Sequence, residues 1–311
     1  MGVFFFQCDI ICKKVFYYSM YSPQLQQNIN LFILVLLGIS SANFHLAISS
    51  ILIIILYSIL IEHILIYFKK KAIRHFSFSS ISTAIGVMLM TITPHLWITL
   101  LLISLGLFQK HFLVWKGRHF FNPSNFALMM GLIFFYHDAH IALGQLGDSI
   151  YLIGLSIILG ISILYRVDRW VIPVVFILSY LLFQYFFVVK GDPIVTMEDV
   201  EYRFYSVSFI VFILFMLTDP RTTPSKKKWQ FLFAFAIAFS SSLLDYIHGF
   251  RVQHLFMALF FLSPVVIFGN YYQEIRESKN LILLSVLTIL LSLGSIIYIE
   301  NLPPYYYEME S

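Results

Sequence analysis

Apolar runs of near-spanning length follow one another along this chain, and nothing between them is long enough to fold as a soluble domain. They fall at about 28–43, 46–68, 78–93, 96–109, 124–136, 149–165, 170–189, 204–217, 229–244, 251–269 and 280–298. A bilayer core takes about 20 apolar residues per helix, and only helices or closed barrels can satisfy their backbone there. Segments 78–93, 96–109 and 124–136 are short for a full crossing, which suggests half-length helices held inside a bundle. Charged residues make up 12% of the chain, against about 25% in soluble domains. The expected fold is all-α, a polytopic membrane bundle of ten or eleven transmembrane segments. Its first partner is the lipid bilayer, and nothing in it points to nucleic acid.

Basic residues set the expected orientation. Numbering loops alternately from a cytoplasmic N-terminus places 17 of the 20 Lys and Arg inside, leaving Lys190, Arg203 and Arg251 outside. By the positive-inside rule the N-terminus is cytoplasmic, the C-terminus external, and the location a cell (inner) membrane. Residues 1–27 read as an interfacial segment, with Met20 an alternative start and a poor likeness to a signal peptide. Residues 270–311 read as an extra transmembrane helix with an acidic external tail. The two cysteines, Cys8 and Cys12, have no further Cys or nearby His to close a metal site, and no metal is expected.

Two inside loops carry a helix-breaking step beside basic residues: "KGRHFFNPSNFAL" (Lys116 to Leu128) and "TDPRTTPSKKK" (Thr218 to Lys228). Proline rejects helical geometry for the residue before it, and Asn or Asp can cap the freed N–H groups of the next turn. Two further helices begin with small polar residues, at His75 to Pro94 and at Leu143 to Arg166. The order polar start, helix, break then occurs twice, from Ser79 to Asn122 and from Gly147 to Asp219. The first copy starts inside and the second outside, the pattern of an inverted repeat with a site near the midplane. The repeats are expected at about 28–140 and 141–269.

The wording of "FQKHFLVWKGRHFFNPSNFAL", "GQLGDSIYLIGLSIILGISILYRVDRWVIPVVFILSY" and "FMLTDPRTTP" resembles, in order, three stretches of the NqrB/RnfD family. These are flavin-bearing membrane subunits of electron-transport complexes, and the likeness runs from about Phe44 to Gly269. Length and the "GRHFFNPSNF" wording resemble most the stand-alone branch of enediyne biosynthesis proteins of the UnbU type. The resemblance implies a flavin, riboflavin or FMN, between the repeats. Asn122, Pro123, Asn125, Thr218, Asp219, Pro220 and Thr222 would shape one side of its site, with Thr223 offering a further hydroxyl; Asp148 and Ser149 would line the other. The Ser/Thr-Gly-Ala-Thr motif that carries covalent FMN in larger members is missing. Thr196 lies roughly where it would be expected but lacks the Gly-Ala, so the flavin is expected to be non-covalent.

Other polar residues have plainer readings. Glu62 and His63 lie in the second span and either face the bundle interior or pair near the interface with Lys69. His111 and His119 flank the Phe-Asn-Pro break in a basic, aromatic loop suited to lipid headgroups, or to a docking surface or flavin phosphate. Asp245 and Arg251 suit a loop ion pair, with His248 able to carry protons near an external opening. The Phe and Tyr residues read mostly as lipid-facing and interfacial anchors.

The function expected is that of a membrane redox protein, an electron-transfer subunit of an oxidoreductase, working with a redox partner protein or a quinone. No GxGxxG, P-loop or iron–sulfur pattern is present, so this chain would not oxidise NADH by itself. The alternatives are a small-solute or ion transporter or channel on the same scaffold without a cofactor, and an assembly subunit docking a soluble enzyme.

Overall fold

The computed structural model describes residues 23–40, 46–70, 78–143, 149–191, 194–270 and 279–302. Within them all eleven apolar segments are helical, as long runs of Leu, Ile and Phe must be where the backbone has no water to bond. The helices are α1 (Pro23–Ile39), α2 (Ile48–Lys70), α3 (Phe78–Met90), α4 (Leu96–Phe112), α5 (Pro123–Phe134), α6 (Ile150–Val167), α7 (Val171–Phe183), α8 (Met197–Tyr202), α9 (Val207–Val211), α10 (Lys227–His248), α11 (Gln253–Asn270) and α12 (Lys279–Glu300). Four are long and apolar enough to cross a membrane: Ile48–Lys69, Ile150–Val167, Val171–Val189 and Lys227–His248. The protein is an all-α polytopic membrane bundle. Its first helix starts earlier than the apolar run suggests, at Pro23, because proline in the first turn forfeits no helical bond. The proposed interfacial segment 1–27 therefore overlaps α1, and residues 1–22 lie outside the described part.

Two of the helices continue as π-turns. α7 runs into Gln184–Val189 and α9 into Phe212–Met216. Two short ribbons pin the ends of half-length helices. β1 (Thr91–Ile92), just past α3, pairs antiparallel with β4 (His140–Ile141), just past α5. β2 (Val114–Trp115) pairs with β3 (Arg118–His119) across Lys116 and Gly117, whose φ angles are 46° and 79°. Positive φ at both central residues matches the twist of a two-residue hairpin, and glycine takes it without steric cost.

The packing repeats itself. α1 packs on α3, α2 on α4 and α4 on α5; correspondingly α6 packs on α9, α7 on α10 and α10 on α11. Between the halves, first helix meets first helix (α1 with α6) and fifth meets fifth (α5 with α11). The α1–α6 pair is antiparallel, since Gln26, in the first turn of α1, donates to Ser162 near the end of α6 at 3.0 Å. This order changes which residues are equivalent. α3 corresponds to α9, so the Thr93-Pro94 step corresponds to Asp219-Pro220. Asn122 and Asp219 are then spatial neighbours from different places in the two halves, not the matched breaks expected from the polar-start pattern.

Glycine sets the closest approach. A Cβ on Gly106 of α4 would lie 2.5 Å from the Pro123 carbonyl oxygen, backbone that opens α5 and cannot swing aside. Gly106→Val should therefore cost about 1–3 kcal/mol through overpacking. A lowered thermal-unfolding midpoint in detergent, relative to native protein, is the measurement that checks it.

Candidate functional site

At the end of the bundle carrying the basic loops, the start of α5 meets the loop that follows α9. Asn122 precedes α5 in extended geometry, and its Oδ1 accepts from the backbone N–H groups of Ser124 and Asn125, both at 3.1 Å. Pro123 takes the next position, where its missing N–H costs nothing. The Asn122 Nδ2 then donates to Asp219 Oδ2 at 3.2 Å. Asp219 Oδ1 accepts from the Arg221 backbone at 2.9 Å, turning the chain away after Pro220. One asparagine thus caps a half-length helix and ties it to the other half of the chain, 97 residues on.

A cavity of about 360 Å³ opens beside this contact. Its walls are apolar where Leu31, Ile163, Val211, Leu214 and Met216 line it. Its polar edges come from Gln24 and Gln27 of α1, Ser79, Ser82 and Thr83 of α3, and His119, Asn122, Ser124, Thr218, Asp219 and Arg221. Asn28 braces the α1 and α3 sides by donating to the Phe78 carbonyl at 2.7 Å and accepting from Ser82. Asn30 links α1 to α6 by donating to the Leu159 carbonyl at 2.8 Å. A tight crossing holds α3 against α5, where a Cβ on Gly86 would meet Ser124 Oγ at 2.5 Å.

The sequence-derived candidates divide. Asn122, Pro123, Thr218, Asp219 and Pro220 line the cavity. Asn125 stands behind it, wholly buried, donating from Nδ2 to the Phe256 carbonyl at 3.1 Å and so joining α5 to α11. The hydroxyl of Thr218 is engaged by the Leu214 carbonyl at 2.6 Å. Thr222 and Thr223 are buried against the Asp219 carbonyl, the latter at 2.7 Å while accepting from Arg169 Nε at 3.1 Å. They stiffen the loop and do not face the cavity. Ser149 is exposed at the start of α6, about 20 Å by helix rise from Ile163 at the cavity, so the two are not brought together. Asp148 lies outside the described residues. Thr196 caps α8, its hydroxyl donating to Asp199 Oδ2 at 2.7 Å and its backbone N–H at 2.8 Å. Those two bonds hold the exposed Asp199 carboxyl below its ordinary pKa. α8 precedes α9, and the cavity lies at the far end of α9, so Thr196 is remote from it.

Sequence reasoning missed the α1 and α3 contributions and underrated His119. The signal for α1 is the run "PQLQQNIN", which straddles the expected boundary: its glutamines fall in the interfacial segment 1–27, and Asn28 and Asn30 in the apolar run that follows. Of the readings open for His119, a headgroup contact does not fit, because the residue is 3% exposed, lines the cavity and has Nδ1 2.7 Å from the Phe121 carbonyl. Glu62 faces the interior, 2.7 Å from Lys110 Nζ and 2.9 Å from His111 Nε2. His63 Nδ1 stays within its helix, 2.7 Å from the Ile59 carbonyl. The anticipated Asp245–Arg251 ion pair is replaced: Arg251 gives Asp245 only its backbone N–H, at 3.0 Å, and sends its guanidinium to Glu300 at 3.3 Å. Several aromatic rings expected at the lipid face are core, including Phe121 stacked on Phe260 at 4.4 Å.

Fold and cavity define a class: a membrane protein of two packed helical halves with a cleft where half-length helices meet. Residues 132–275 match the sequence model of the NQR2, RnfD, RnfE family. The family is one of membrane subunits of electron-transport or related complexes. The match does not resolve a branch within it, and no curated protein matches the chain.

Two consequences can be measured. Asn122→Asp keeps the cap but sets a carboxylate against Asp219, whereas Asn122→Ser keeps the cap and removes the cross-link. The Asp variant should be the less stable in thermal melts, and Asn122→Ala should lose about 1 kcal/mol from the cap alone. Burial is the largest effect on His119 and pushes its pKa below the ordinary value, against the opposing pull of Asp219 and the Phe121 carbonyl. The unfolded chain therefore binds a proton that the folded one refuses. Stability is fully present above the ordinary imidazole pKa and falls as pH drops through it toward the lowered folded value. His119→Gln should flatten that part of the melting-temperature profile between about pH 7.5 and 5.5.

Proposed function

We propose that this chain is a flavin-binding electron relay, holding riboflavin or FMN non-covalently in the cleft between α3, α5, α6 and α9. The observation that carries the reading is the Asn122–Asp219 contact, a polar edge on a cavity that also presents apolar wall from Leu31, Ile163, Val211, Leu214 and Met216. Its volume falls within the range of small-molecule sites, about 300–1,000 Å³. The donor set fits a flat heterocycle with apolar faces and one polar edge. Asp219 would accept from an imide N–H, Asn122 would offer amide contacts and Arg221 would serve carbonyls, while Ser82 and Thr83, whose hydroxyl protons go to Asn28 and the Ser79 carbonyl, could only accept from a ribityl chain. A bound flavin would supply one- and two-electron chemistry. The protein's own residues orient the ring, keep water from its faces and fix the charge at its edge.

The electron donor and acceptor are a partner protein, a quinone or another membrane carrier. With basic loops gathered around the cleft (Arg118 donates to Ser225 at 3.3 Å), the positive-inside rule turns this end to the cytoplasm. A soluble donor would dock there.

The test is the absorption spectrum of detergent-purified protein, before and after acid denaturation and filtration. Flavin absorbance passing into the filtrate is expected. Asp219→Ala should reduce bound flavin about tenfold, a hydrogen bond to a charged group being worth about 1.5–3 kcal/mol. Thr196→Ala should leave it unchanged. Absorbance that stays on the polypeptide would show a covalent link, and absence of flavin after reconstitution with riboflavin and FMN would overturn the reading.

A further inference from the structure

At the end of the molecule opposite the cleft, α10, α11 and α12 bury three titratable groups in one line. His254, in the first turn of α11, has a side chain with no exposure, and its two ring nitrogens face two different carboxylates. Nδ1 lies 2.7 Å from Asp245 Oδ1 on α10, and Nε2 lies 3.1 Å from Glu300 Oε1 at the end of α12. Both carboxylates are buried, at 0% and 2% side-chain exposure. Glu300 lies beyond the family match, which ends at residue 275.

The geometry fixes a proton count. A carboxylate oxygen and a ring nitrogen at hydrogen-bond distance need a proton between them, because two facing lone pairs repel. Two such contacts need two protons. A neutral imidazole supplies one, so the second sits on the ring or on one carboxyl. In the forms these groups take alone in water at neutral pH, the trio would be one proton short.

The surroundings make that proton exchangeable. Asp245 Oδ2 accepts from Gln184 Nε2 at 2.6 Å and faces Arg203 Nη1 at 3.4 Å; Arg203 also donates to the Tyr180 hydroxyl. Glu300 faces Arg251 Nη1 at 3.3 Å and accepts from Gln253 Nε2 at 3.1 Å. Two guanidinium groups thus balance two carboxylates, so the added proton is not trapped by unopposed negative charge. His248 Nδ1 lies 3.6 Å from Glu300 Oε2, and its side chain is 35% exposed, which gives the line a wet outer end. The inner end is closed: beyond Asp245 stand Gln184 and Arg203, neither of which passes a proton on at neutral pH.

We propose that Asp245, His254 and Glu300 form a proton-binding site, loaded and emptied through His248 from the end of the molecule opposite the cleft. The site stands on its own residues, whether or not the cleft takes a flavin. The first experiment is ¹⁵N NMR of histidine-labelled full-length protein in nanodiscs, with His254 assigned from the His254→Gln variant, together with infrared detection of protonated carboxyl groups. Between about pH 9 and 5.5 the native protein should change its His254 pattern or its carboxyl band by one proton. Glu300→Gln should hold His254 in a one-proton form throughout. Asp245→Asn, on a different helix, should do the same, so the result does not hinge on α12 staying docked. His248→Phe should slow exchange of the His254 ring proton with water by about tenfold or more. A one-proton ring at every pH without a protonated carboxyl, or a titration unaltered in both carboxamide variants, would overturn the site. An unchanged exchange rate in His248→Phe would overturn the route.

Discussion

A helix that begins inside a membrane bundle exposes N–H groups where there is no water to take them, and the structure depends on how that is answered. At α5 the answer is Asn122, whose oxygen receives two backbone donors while its amide reaches Asp219. Without such a cap those donors would have only what water the cleft admits, at the cost of about 1 kcal/mol expected for Asn122→Ala. The same residue also joins the two halves, through its amide bond to Asp219. The polar edge of the cleft is therefore first a structural necessity, and its capacity to recognise a ligand is built on the atoms left over.

The sequence was informative where backbone chemistry is local. Runs of apolar residues placed eleven helices, and the Asn-Pro and Asp-Pro steps pointed to the one edge of the cleft where Asn122 meets Asp219, because proline and its capping neighbour act within a turn. What was not legible depends on which face a side chain turns inward. Asn28, Asn30 and Gln27 lie on an apolar helix that meets α3 and α6, and no local pattern separates that from an interfacial stretch. Thr222 and Asn125 carry the right chemistry in the right segment, yet each is turned into the packing by a neighbouring carbonyl. The equivalence of α3 with α9 was hidden for a similar reason. Hydropathy gives a helix its length but not its partner.

The two halves also place charge in matched positions. Second and fourth helices pack together in each, and both pairs bury a polar contact: Glu62 with Lys110 between α2 and α4, Gln184 with Asp245 between α7 and α10. Inversion of the halves sends one contact toward the basic end and the other away from it. The first is closed as an ion cluster with His111. The second draws in His254 and Glu300, because α12 adds a carboxylate that the five-helix pattern does not provide.

The π-turns at Gln184–Val189 and Phe212–Met216 carry a consequence for the history of the chain. A π-turn arises when one residue is inserted into an α-helix and the surplus is absorbed as a widened turn, leaving the rest of the helix rotated in place. A relative lacking the insertion would present the same outer faces with one residue fewer in the membrane. Alignments within the family should then open single-residue gaps in the middle of these helices, where gaps are ordinarily penalised. A gap beside Thr218 and Asp219 would fall in the helical stretch whose Val211, Leu214 and Met216 line the cleft.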